Sequence, residues 1–174
     1  MIGHLQQCEM QGVKPDMVLV DYADIMKSTS KFTEKRHQIG HVYEELRGMA
    51  GEFDIPIWTA SQANRSALEE DVIGAEKVSE DYSKVMTADF VMSMSRKVED
   101  KIANTGRFHV IKNRFGPDGI TFPATINTNT GTIEIYDTNT QGGQDAQGKM
   151  NNADEYIRKT LAQKKKDFDG GGFE

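Results

Sequence analysis

Cysteine is almost missing from this chain. The single thiol, Cys8, excludes a disulfide scaffold and a thiolate zinc site, and suits a reducing compartment. Long apolar runs are missing too: no window reaches the roughly 18 apolar residues of a membrane span. The opening MIGHLQQCEM lacks the apolar core of a signal peptide. Basic charge is not in excess, with 21 Lys plus Arg against 27 Asp plus Glu and a net charge of −6. That excludes a chain gripping nucleic acid with its whole surface, and leaves room for a local basic loop. What remains is 174 residues, 37% apolar with 16 glycines, the size and composition of one globular domain with a real core. The expectation is a soluble intracellular protein. No internal repeat is visible.

Apolar patterning then places the elements. Residues 1–13 are expected to be helical, with Ile2, Leu5 and Met10 loosely on one face and Gly12 and Pro15 as the stop. Met17-Val18-Leu19-Val20 is a short apolar run ending in Asp21, read as a strand buried on both faces of a parallel sheet. Residues 27–36 are polar and aperiodic, hence a loop. From about 36 to 53, Ile39, Val42, Tyr43, Leu46, Met49, Ala50 and Phe53 recur at three- and four-residue steps, the signature of an amphipathic helix. Residues 55–60 form a second buried strand with Pro56 at its start, and 61–80 a polar stretch. Residues 90–94 and 108–111 read as further strands. Residues 122–126 and 132–136 read as a closing hairpin around Asn129 to Gly131. The class is α/β, a sheet with an antiparallel edge. After Asp137, residues 138–152 read as a flexible linker, and 153–174 as a short charged helix with a frayed end.

Three motifs carry chemistry. Asp21 ends a buried strand, where open α/β sheets bind ligands and where a carboxylate can hold Mg²⁺ beside phosphates. Ser61-Gln62-Ala63-Asn64-Arg65 follows the second strand, and a neutral amide there can hydrogen-bond a terminal phosphate or its attacking water. Lys112 and Arg114 follow the strand ending at Ile111; alternate positions of an extended chain project to one side, so both cations can meet one anion. Each motif alone has an ordinary reading: a capping Asp, a polar loop, a solvated basic turn.

Together MVLVDY, SQANR and VIKNRFG, with KVMTADFVMSMSR between the last two, resemble the C-terminal half of the RecA-like motor domain of DnaB-type replicative DNA helicases, from about Pro15 to Tyr136. The wording between motifs is nearer T-even-type bacteriophage helicases than bacterial DnaB. The resemblance implies a partial RecA-like P-loop NTPase sheet within residues 1–137, parallel strands with a C-terminal antiparallel hairpin. It implies that Asp21 matches the Walker B aspartate supporting Mg²⁺ and Gln62 the γ-phosphate sensor. Arg114 matches the arginine finger offered to a neighbouring subunit's ATP, and Lys112 its partner. Segments 27–36 and 65–85 fall where the family places its DNA loops, nominating Lys27, Lys31, Lys35, Arg36 and Arg65 as contacts to single-stranded DNA. The second loop holds six acidic residues against Arg65, Lys77 and Lys84, which weakens its case. Implied partners are identical subunits in a hexameric ring and a primase or helicase loader, in the cytoplasm of the cell or phage host.

A motor of this family also needs the phosphate loop G-x-x-x-x-G-K-[ST] before the Walker B strand. The 16 residues preceding Met17 contain none. Residues 143–149, GQDAQGK, fit its first seven positions, but Met150 stands where the hydroxyl is needed, and no strand leads into it. The match is rejected. The chain is therefore expected to be the second half of a motor, with ATP and Mg²⁺ bound by the complete protein and no hydrolysis by this chain alone. An accessory or degenerate RecA-like ATPase subunit is the alternative. His37 and His41 share a helix face without an evident third metal ligand.

Overall fold

The computed structural model describes residues 1–30, 33–67, 70–77 and 82–170, apart from the side chains of residues 65 and 163–170. It divides into two compact units, residues 1–64 with 75–91 and residues 65–74 with 92–174.

The first unit contains α1 (Ile2–Met10), β1 (Val18–Val20), α2 (Lys35–Phe53), β2 (Ile57–Thr59) and α3 (Ser83–Thr87). The apolar stripe of α2 is its organiser: Ile39, Val42, Tyr43, Leu46 and Met49 are buried with Leu5, Ala23 and Ile55. Three- and four-residue spacing puts these side chains on one helix face, where they exclude water together. α2 stops because Asp54 turns left-handed, at φ 52° and ψ 48°, with its N–H on the Ala50 carbonyl. β1 and β2 pair in parallel, Val18 opposite Ile57 and Val20 opposite Thr59.

That sheet departs from the expectation of burial on both faces. Val18, Val20 and Ile57 pack on the α2 core. Leu19 and Trp58, cross-strand neighbours, point the other way, 72% and 48% exposed. Strand side chains alternate, so a sheet covered by helices on one face only buries every second residue. Among the described residues of this unit, Trp58 meets the Phe90 ring, at 5.8 Å between centroids.

The second unit holds most of β3 (Phe90–Ser95), then α4 (Val98–Ala103), β4 (Thr105–Asn113), β5 (Thr121–Asn127), β6 (Thr132–Ile135) and α5 (Gln141–Gly170). The four strands are ordered β3-β4-β5-β6. β4 and β5 run antiparallel, Thr105 opposite Thr125 and His109 opposite Thr121; β5 and β6 form the expected hairpin, Ala124 opposite Ile135. Phe108, Ala124 and Ile126 make its core.

The flexible linker expected over residues 138–152 is instead the front of α5, a 30-residue helix. Ala146 and Met150, four residues apart, are 1% and 2% exposed. Thr140 caps the start by accepting the Gly143 N–H at 3.2 Å. Side-chain pairs Gln141–Asp145, Gln147–Asn151 and Glu155–Lys159 then support it at four-residue spacing. A Cβ on Gly142 would lie 2.6 Å from the Tyr136 ring, and one on Gly143 would collide with the Asp137 carbonyl. Close packing at a helix start accounts for Gly143, the first glycine of the segment that imitates a phosphate loop, while Gly148 faces open space.

Candidate functional site

The parallel register of β1 and β2 brings the chain segments after both strands side by side. Thr59 locks them: its hydroxyl donates to the Val20 carbonyl at 3.0 Å and accepts the Ala23 N–H at 2.9 Å. Asp21 follows directly after β1, exposed, and the Asp21–Tyr22 peptide is cis. Gln62, three residues beyond β2, donates through Nε2 to the Tyr22 hydroxyl at 3.3 Å. Gln62 thus reaches the side chain of Tyr22, the residue after Asp21. Asp21 offers a hard oxygen donor and Gln62 an uncharged amide. This set suits Mg²⁺ held by one carboxylate with phosphate and water oxygens completing the shell. Among the described residues no group of three His, Cys, Asp or Glu side chains could hold a metal by themselves.

Beneath this surface lies a polar cluster that sequence reasoning missed. Asp24, on the 3-10 turn Ala23–Ile25, receives the Tyr43 hydroxyl at 2.7 Å on Oδ1. Its Oδ2 receives the Ser61 hydroxyl at 2.9 Å and the Lys84 ammonium at 2.9 Å. The Lys84 side chain is 3% exposed. Burial pushes the Asp24 carboxyl up, but the bonds from Lys84, Tyr43 and Ser61 and the Lys84 charge outweigh it and hold the group below the ordinary carboxylate value. Burial first, and then the bond to Asp24 and its charge, drive the Tyr43 phenol well above its usual range. Lys84 therefore leaves the set of loop cations: it serves Asp24. Only the α2 stripe hinted at Tyr43, and Lys84 stood out only as a loop cation, 60 positions from its partner.

The basic candidates divide. Lys27 is exposed just past the 3-10 turn, and Lys35 and Arg36 are exposed in the first turn of α2. Lys31 lies outside the described residues, as does the side chain of Arg65, whose backbone opens the 3-10 turn Arg65–Ala67. Between them the loop is pinned to α2: Ser28 Oγ lies 2.9 Å from His41 Nδ1, and Thr29 donates to Glu45 through both its N–H and its hydroxyl. His41 and His37 pair instead with Glu45 and Glu34, at 3.4 and 3.5 Å.

Lys112 and Arg114 belong to the second unit. β4 continues through Asn113, so Lys112 is in the strand, half-buried, and Arg114 opens the exposed turn to β5. Asn113 shapes that turn: its Oδ1 accepts the Phe115 N–H at 3.0 Å and its Nδ2 donates to the Pro117 carbonyl at 3.2 Å. Asn and Asp favour such local turns, a signal legible in KNRFGPDG. In the same unit Asp71, counted among the acidic residues of the second loop, is paired with Lys97 at 2.8 Å and Arg107 at 3.5 Å. The hydrogen bond from Lys97 holds its carboxyl below the ordinary value. No described helix is long and apolar enough to cross a membrane.

Residues 3–131 match the family model of the DnaB-like helicase C terminal domain. Over 105 residues the chain is 29% identical to the DnaB-like replicative helicase of Enterobacteria phage T4, covering 59% of this chain and 22% of that protein. Two solved structures share its fold. The ATPase domain of G40P has a TM-score of 0.67 at 19% identity, over 78% of this chain and 50% of that one. A DnaB-like replicative helicase studied with primase has a TM-score of 0.65 at 20% identity, over 75% of this chain and 33% of that one. The chain thus spans about a fifth to a half of the length of these relatives.

Proposed function

The chain belongs to the DnaB-like helicase C-terminal domain family, and we propose that it is the portion of an ATP-driven, hexameric replicative DNA helicase that carries Walker B, phosphate sensor, DNA loop and arginine finger. The observation that carries this reading is the Gln62–Tyr22 hydrogen bond, 3.3 Å, which ties the segment after β2 to the residue next to Asp21. In the complete protein Asp21 would hold Mg²⁺, which supplies charge neutralisation at the phosphates of ATP. Gln62 would hydrogen-bond the terminal phosphate or its attacking water. Lys112 and Arg114 would act on the ATP of the neighbouring subunit, the Arg as a planar fork and the Lys as a point charge.

Lys27, Lys31, Lys35, Arg36 and Arg65 would track the phosphates of single-stranded DNA. The position of Lys35 and Arg36 supports this. Cations in a first helical turn face the positive end of the helix dipole, an unfavourable placement that a nearby phosphate would offset. The T4 relative supports a role in phage replication, and the helicase studied with primase supports a primase as partner.

The test uses the complete protein, or this chain joined to a phosphate-loop half. Asp21→Asn and Gln62→Ala should each lower DNA-stimulated ATP turnover by about a hundredfold or more, the scale of a lost transition-state contact. Turnover that survives both changes would overturn the helicase reading in favour of an accessory subunit.

A further inference from the structure

Three separate stretches of the first unit converge on one buried ion pair: the turn after β1 through Asp24, the segment after β2 through Ser61, and the start of α3 through Lys84. The pair is 2.9 Å long, between side chains 11% and 3% exposed. Well-packed apolar residues would serve stability as well as a buried pair does, so what the pair adds is direction. Ser61 supplies the direction. Its hydroxyl donates to Asp24 Oδ2 at 2.9 Å and accepts from Lys84 Nζ at 3.1 Å, so one side chain is held from both sides. The other carboxylate oxygen is taken by Tyr43 at 2.7 Å, and the ammonium also lies 5.7 Å above the Tyr43 ring. Neither Asp24 nor Lys84 can turn away without leaving buried polar atoms unpaired.

Ser61 is the residue before Gln62. Fixing its side chain fixes the backbone from which the Gln62 amide projects. We infer that Asp24 and Lys84 are positioning residues that act through Ser61 to aim Gln62 at the phosphate of ATP, an inference that rests on the ATPase reading above. A catalytic group displaced by about an ångström loses up to a hundredfold in rate, while substrate binding made elsewhere is unaffected.

The experiment measures ATP turnover of the complete helicase with Ser61→Ala, Ser61→Thr, the double variant Asp24→Asn/Lys84→Met, and Gln62→Ala as benchmark. Ser61→Ala leaves the ion pair whole, so it tests the link without stranding a buried charge. Expected is a fall in kcat of about tenfold or more for Ser61→Ala and for the double variant, with KM for ATP within about twofold of the parent and Ser61→Thr near the parent. If Gln62→Ala lowers kcat but Ser61→Ala does not, the positioning role is overturned while the ATPase reading stands, whether or not the double variant folds. If Gln62→Ala itself is silent, the ATPase reading fails and takes this inference with it.

Discussion

Thr59 clamps Val20: its hydroxyl donates to the Val20 carbonyl at 3.0 Å while accepting the Ala23 N–H at 2.9 Å. Two strands only three residues long have few ladder bonds to hold their register. One side chain supplies two more, at the end where Asp21 and Gln62 emerge.

Thr59→Val keeps the shape and removes both bonds. Ala23 is fully buried, so its N–H would be left without a partner. An orphaned buried donor costs about 1–3 kcal/mol. In a chain of this size each kcal/mol lowers the thermal midpoint by about 2–4 °C. Calorimetry should show that loss for Thr59→Val and a near-parental midpoint for Thr59→Ser; a neutral Thr59→Val would deny the clamp.

The buried cluster predicts a stability maximum bounded on both sides. Asp24 is depressed in the folded chain, because the Lys84, Tyr43 and Ser61 interactions outweigh the upward push of burial. A carboxyl depressed on folding contributes stability present in full above its unfolded value of about 4, and that contribution disappears as pH falls through the lower folded value. Asp71 acts in the same sense, but its side chain is 65% exposed and solvent screens the pair. Tyr43 is raised, so its contribution is present below the unfolded phenol value of about 10 and declines as pH climbs above it. Urea midpoints across pH should therefore drop at both ends. Tyr43→Phe should flatten the alkaline limb, and Asp24→Asn/Lys84→Met the acid limb. Unchanged limbs in both variants would rule the cluster out as their source.

α5 should be needed for the second unit, not dispensable to it. Met150 is 2% exposed and Ala146 1%. Met150→Ala leaves a cavity, and such truncations cost about 2–5 kcal/mol. Chemical denaturation should register that loss. Tyr156→Ala, further along the helix at a site 68% exposed, should cost far less. Equal, negligible effects at both positions would mean that the helix does not pack.

What the sequence disclosed, and what it withheld, follows the range of each signal. α2 was legible because its stripe repeats over about four turns, and β4 to β6 because apolar runs alternate with turn residues. Asp21 and Gln62 were legible as strand-end residues because each follows a short apolar run closely. α5 was hidden: two buried residues, Ala146 and Met150, leave almost no periodicity, and its remaining support comes from polar pairs and a Thr cap. α4 was missed as well, a six-residue helix capped by the Asp100 carboxylate on the Lys97 N–H at 2.9 Å. The Asp24–Lys84 pair was out of reach for a different reason. Charge at one position says nothing of a partner that only the fold brings near.

Arg114 gives the sharpest test of how complete sites are assembled. It opens the exposed turn after β4, in the unit that does not contain Asp21 and Gln62. If it serves as a finger in the complete hexamer, Arg114→Ala should leave ATP binding nearly intact and abolish most hydrolysis, because the guanidinium acts on charge that develops in the transition state. The loss expected is about 10³–10⁵ in kcat. Mixing separates a finger offered to a neighbour from one used within its own subunit. Arg114→Ala subunits combined with subunits lacking a functional phosphate loop should recover hydrolysis, since some interfaces then hold one intact copy of each part. A site built within one subunit would show no recovery. A solvated turn residue would show no loss to recover from, and an Arg114→Ala hexamer keeping more than about half its rate, a barrier change below RT, would end the assignment.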